Sequence, residues 1–222
     1  MNDKALSNAT LELTQRIQTH FPRDIDPAVV QFWNGQPKEI LTARLLEAFG
    51  RIPAECVPQP QPLLIYGGTV AVAARTARFV PKNFFTTKNN RVRIGYVDPD
   101  FTAWFGGKAE EPTVATTLYW HVLSRPSAFA PAMKELGGGA VVQTTPSELA
   151  SMMERQPDGP NSGAGPLLVN GYANLFEMLD YTGVSRMVRV FWSVGGWYVY
   201  ANPVTNSNQW YDEYRFFSRN PR

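Results

Sequence analysis

The chain has 222 residues, 44% hydrophobic and 18% charged, with 17 Gly, 18 Pro, one Cys and a formal net charge of +2. That length suits one large domain or a small unit beside a medium one, and the composition excludes fibrous, collagenous and wholly disordered classes. No apolar run approaches the ~18–20 residues of a membrane span, and the lone Cys56 excludes an internal disulfide framework or a thiolate zinc cluster.

The N-terminal stretch MNDKALSNATLELTQRIQTHF is amphipathic and mixed in charge, without an apolar signal core, so a soluble, cytoplasmic protein is expected. Residues 7–50 read as three short helices. The first starts at Ser7 or Asn8 and carries Leu11, Leu13, Ile17 and Phe21. The second opens at Asp26-Pro27, a cap followed by proline at the first helical position, and stops at Asn34-Gly35. The third runs from Pro37 to Phe49, with Ile40, Leu41, Leu45 and Leu46 on its apolar side.

Residues 53–62, PAECVPQPQP, hold four prolines and read as an extended, semi-rigid linker. Three parts are therefore expected: a helical unit over 1–52, the linker over 53–62, and a larger domain over 63–222.

Past the linker the hydrophobic period changes from 3.6 to 2. Strands are expected at 63–66, 69–80, 92–97 and 113–123. Asp98-Pro99 opens one helical turn containing Phe101, Trp104 and Phe105. Ser127 is expected to cap a helix ending at Leu136, and Thr145, Pro146 and Glu148 form a capping box for a second helix ending near Gln156. After a loop over 157–166, an antiparallel meander is expected: 167–179, 186–193, 197–202 and finally 214–218. The expected class is α+β: a small N-terminal helical unit, then a mostly antiparallel sheet with two packed helices.

From about Lys88 to Arg219 the chain carries a string of motifs. They include Trp104-Phe105-Gly106-Gly107-Lys108-Ala109-Glu110-Glu111-Pro112, Glu135-Leu136-Gly137-Gly138 and Met152-Met153-Glu154-Arg155-Gln156. Asn170-Gly171-Tyr172-Ala173-Asn174-Leu175-Phe176 and Gly195-Gly196-Trp197-Tyr198-Val199 follow, then Trp210, Asp212, Tyr214-Arg215 and Phe217-Ser218-Arg219. In these the chain resembles a widespread family of bacterial proteins frequent in small-genome, candidate-phylum bacteria. It departs at Tyr211 and Glu213, where similar chains more often place Gly. No activity is known for that family, so the resemblance implies no catalytic residue.

The residues point to three function classes. The aromatics of the last stretch, with Trp197, Tyr198, Trp210, Tyr211 and Tyr214 foremost, are the candidate protein-binding groups. Adjacent rings on a strand point to opposite faces, and one face can be core while the other meets a partner. This favours a non-enzymatic structural or assembly protein, self-associating or binding neighbouring chains, in the cytoplasm or within a larger bacterial or viral particle. Residues 61–97 hold six cations and no acid, so Arg75, Arg78, Lys88, Arg91 and Arg93, with Phe84 and Phe85 as stacking groups, support a nucleic-acid-binding alternative. A solvated basic face explains the same charges.

The third class is a carboxylate-based hydrolase using Asp98, Asp100, Glu110 and Glu111 near Trp104 and Tyr119. Helix caps and solvated acids account for these equally. Gly137-Gly138-Gly139 follow a helix and read as its C-terminal cap, not a phosphate loop. His20 reads as a helix-end residue, His121 as a strand residue and Cys56 as a spectator thiol. No cofactor, metal or membrane partner is expected.

Overall fold

The computed structural model describes residues 26–40, 44, 47 and 61–221. The predicted first helix, residues 53–60 of the linker, His20 and Cys56 lie outside the described residues. The chain divides into two compact units, Met1–Gln59 and Pro60–Arg222. In the first unit α1 spans Pro27–Asn34. Asp26 caps it by accepting from the Ala28 N–H at 2.8 Å, and the Gly35 N–H closes it on the Gln31 carbonyl. Helical backbone recurs at 38–40, 44 and 47.

The second unit is α+β. Its strands are β1 (Leu64–Val72), β2 (Ile94–Val97), β3 (Thr116–Leu123), β4 (Asn174–Leu179), β5 (Ser185–Ser193), β6 (Gly196–Pro203) and β7 (Arg215–Ser218). Its helices are α2 (Pro81–Phe84), α3 (Pro99–Phe105), α4 (Phe129–Glu135) and α5 (Pro146–Glu154). One seven-stranded sheet has the order β1-β3-β7-β4-β5-β6-β2, antiparallel except where β7 meets β4 and β6 meets β2.

The last strand does not extend the meander as expected. β7 returns to the middle of the sheet, antiparallel to β3 and parallel to β4. The physical reason lies in Phe216 and Phe217. Neighbouring strand residues face opposite ways, and both rings are fully buried, one in each core, which the middle of a sheet covered on both faces provides.

Three helices cover one face of the sheet. Phe84 of α2, Phe101 and Phe105 of α3, and Leu149 and Met153 of α5 pack on Leu118, Phe176, Val188, Trp197 and Phe217. On the opposite face α4 packs Phe129, Ala132 and Met133 on Leu64, Leu123, Leu175, Met187 and Phe216.

β1 runs unbroken through Gly67-Gly68, where two expected strands were separated. The register slips by one residue between Tyr66 and Gly68. Such a bulge exchanges the faces, so Leu64 joins the α4 side while Val70 and Val72 join the other core. Glycine is required there, because a Cβ on Gly67 would lie 1.9 Å from the Trp120 ring. Beyond Val72 the chain leaves the sheet, and the strand predicted to continue to residue 80 is reduced to two bridges, Arg75–Thr113 and Phe79–Glu110.

Within the second unit, capping follows the sequence at two of three places, as it does at Asp26 in the first. Asp98 accepts from the Asp100 N–H at 2.7 Å, and Thr145 and Glu148 form a reciprocal box. Ser127 does not cap α4. Its backbone exchanges both hydrogen bonds with Trp210, and Ala128 stands at the cap position without a side-chain bond.

A turn built on Asp180 joins β4 to β5. Its Oδ1 accepts from the Thr182 and Val184 N–H groups and the Thr182 hydroxyl, and its Oδ2 takes the Arg186 Nε–H at 2.9 Å. Burial alone would raise this carboxyl, but the donors outweigh it and hold the pKa at about 2. Arg186 in turn lies 3.9 Å over the Trp104 ring.

Candidate functional site

On the α4 side of the sheet, near its β2 edge, the register brings four rings into a row. Phe191 pairs with Tyr198 across β5 and β6, Arg189 with Tyr200, and Tyr96 of β2 with Tyr198. Phe191 stacks on Tyr198 at 5.5 Å and on Tyr200 at 5.8 Å, while Tyr96 lies 5.9 Å from Tyr198 and 5.2 Å from Tyr200. The Arg189 guanidinium sits 4.4 Å over Tyr200, and its Nε is buried without a hydrogen-bond partner among the described residues. Phe191, Tyr198 and Tyr200 are half-buried and Tyr96 is 36% exposed. Partial burial, then the Asp98 carboxylate and Tyr200, push the Tyr96 phenol above its ordinary pKa.

Of the five ring residues singled out from the sequence, Tyr198 alone belongs to this row. Trp197 is fully buried under the three-helix face and donates its indole N–H to the Gln156 carbonyl at 2.9 Å, so it offers nothing to a partner. Trp210 is also core, held by its backbone bridge to Ser127 and packed edge-on against Tyr214 at 5.2 Å. Tyr214 is half-buried between Trp210 and Tyr172, and Tyr211 is 49% exposed. Tyr96, Phe191, Tyr200 and Arg189 complete the row instead. Tyr96 was hidden from period-2 counting, because the register shifts between Ile94 and Tyr96 and sends the two to opposite faces. A Cβ at Gly95 would lie 3.0 Å from the Tyr198 ring, so a residue without a side chain lets the two strands approach.

The basic segment divides. Arg75, Arg78, Lys88 and Arg91 line a hollow of about 360 Å³ with Asn83, Asn89 and Asn90, and Glu154 is its one acid among the described residues. Arg75 bonds Ser151 and pairs with Glu154 at 3.0 Å, and Arg78 pairs loosely with Glu111 at 3.5 Å. Arg93 points elsewhere: it pairs with Asp158, whose carboxyl is held below its ordinary pKa by the Asn161 and Arg93 donors. Phe84 and Phe85 are buried against each other and Phe101, so neither can stack a base. A larger open cleft of about 900 Å³, lined by 71–77, 115–117 and parts of α5, adjoins the hollow and shares Arg75 and Glu154 with it.

The four candidate carboxylates hold separate posts. Asp98 caps α3, Asp100 is exposed, and Glu111 meets Arg78. Glu110 is buried and accepts from the Ser147 N–H at 3.0 Å, at the start of α5. Among the described residues no group of three or more His, Cys, Asp or Glu is placed to hold a metal. His121 is fully buried in β3, edge-on to Tyr66 at 5.8 Å. The glycines after α4 act as its cap, with the Gly137 and Gly138 N–H groups returning to the Lys134 and Met133 carbonyls.

Among the described residues no helix is long and apolar enough to cross a membrane. The chain matches no protein-family model, no curated protein and no solved structure. The family resemblance therefore rests on its motifs alone.

Proposed function

We propose that this chain is a non-enzymatic assembly protein that binds neighbouring protein chains, its own copies among them, through the Phe191–Tyr198–Tyr200–Tyr96 row. One observation carries the reading. Among the described residues three helices pack on one face of the sheet and one on the other, and the face with one helix presents stacked, half-exposed rings beside Arg189 at its edge. Tyr and Arg dominate the energetically important residues of protein interfaces, and rigid stacked rings lose little entropy on docking. A cytoplasmic location, or incorporation into an assembled particle, belongs to the same proposal.

The carboxylate reading draws no support from acids of which one caps α3, one meets the start of α5, one pairs with Arg78 and one stands exposed, and a base-stacking reading loses its rings to the core. Sedimentation velocity tests the assembly reading. Wild type is expected to associate as its concentration rises, and the double variant Tyr96→Ser/Tyr198→Ser to remain monomeric with an unchanged far-UV spectrum. Each lost anchor costs about 2 kcal/mol. A monomeric wild type, or a variant that associates equally well, refutes it.

A further inference from the structure

We propose that the hollow framed by Arg75, Arg78, Lys88 and Arg91 binds a short chain of phosphates, the di- or triphosphate group of a small ligand. Charge comes first. Residues 61–97 contain no acid, and among the described residues the only carboxylate lining the hollow is Glu154, already paired with Arg75. Arg78 meets Glu111 in an exposed, loose pair. Lys88 and Arg91 are exposed and form no ion pair among the described residues. Two cations are thus uncompensated at one concave site, where low-dielectric walls concentrate the field.

The second argument is rigidity. Asn89 staples the segment that carries both free cations: its amide donates to the Phe84 carbonyl at 2.8 Å, and its Oδ1 accepts from the Arg91 and Val92 N–H groups. The Lys88 N–H adds a bond to the Thr86 hydroxyl. Lys88 and Arg91 therefore flank a fixed turn and lose little backbone freedom when they close on an anion.

Size and lining then select the ligand. A volume of about 360 Å³ lies at the small end of ligand sites and takes a phosphate chain. Phe79 and Phe84, the rings lining it, are buried, so the site recognises phosphate oxygens and leaves a base unstacked. Guanidinium groups suit that chemistry, since each presents a planar fork of donors.

Calorimetric titration of the full chain with inorganic tripolyphosphate tests this. Wild type is expected to bind saturably, and Lys88→Gln/Arg91→Gln to bind about 10-fold more weakly or worse with an unchanged melting curve. Glu154→Gln, which releases Arg75, is expected to bind several-fold more tightly, a sign that general damage does not produce. Lys134→Gln, which removes an exposed cation on α4, should leave binding unaltered. Absence of binding, equal binding by the Lys88/Arg91 variant, or no gain in Glu154→Gln overturns the proposal. So does a single-stranded oligonucleotide that binds more tightly than tripolyphosphate and loses that binding in the same variant, because the site would then belong to a nucleic-acid backbone.

Discussion

Replacing Asp180 by Asn removes a buried charge while keeping the shape of the β4–β5 turn. The three donors on Oδ1 still find an acceptor, whereas the new amide N–H₂ faces the Arg186 Nε–H, donor against donor. The cost follows from the titration of the wild-type group. A carboxyl whose ordinary pKa is 3.8 is held at about 2, and the difference corresponds to about 2.5 kcal/mol of folded-state preference for the ionised form. Because the folded value is depressed, this stability is fully present above the ordinary pKa and disappears as pH falls towards the folded one. Urea unfolding followed by far-UV circular dichroism should therefore show Asp180→Asn about 2.5 kcal/mol less stable at about pH 7, with the gap narrowing between about pH 4 and pH 2. A gap that is independent of pH, or below about 0.5 kcal/mol at neutrality, refutes the assignment of a charge-dependent staple.

Glu148 is also buried but titrates the other way, because burial raises its pKa against the opposing Arg219 and Thr145 contacts. Its contribution is largest at low pH and declines as pH rises through the raised value, so Glu148→Gln, which retains a capping side chain, should cost far less than Asp180→Asn in neutral urea unfolding. Gly67→Ala drives a Cβ into the Trp120 ring and is expected to destabilise by about 2 kcal/mol or more, read as a lowered melting temperature. A chain beginning at Pro60 should keep a cooperative thermal transition, since its sheet and both cores lie within 60–222; a molten fragment would mean that the helical unit completes the core.

What the sequence made legible was local and chemical. Asp98-Pro99 and Thr145-Pro146-Glu148 announce helix starts because the capping groups sit two or three residues from the N–H groups they satisfy. The alternation of Val188, Val190 and Trp192 against Arg189 and Ser193 follows from the strand pleat, and the three apolar residues do share the three-helix core. Long-range pairing was not legible. Nothing local distinguishes a strand that extends a meander from one that returns to the centre, although the adjacent Phe216 and Phe217 ask for two buried faces. The ring row was missed for a related reason: the one-residue shift at Gly95 reverses the inside–outside count of β2, moving Tyr96 out. Trp197 and Trp210 looked like partner-binding groups, since a large ring beside another ring carries no label for core or surface.

Hydroxyl-radical footprinting at low and high protein concentration tests the central claim, that the ring row is where this chain meets another, most directly. Tyr96, Tyr198 and Tyr200 should lose reactivity as the protein concentrates, while the exposed Tyr181 and Tyr211 stay reactive throughout. Unchanged reactivity of the row, or protection of Tyr181 and Tyr211 in its place, contradicts the account.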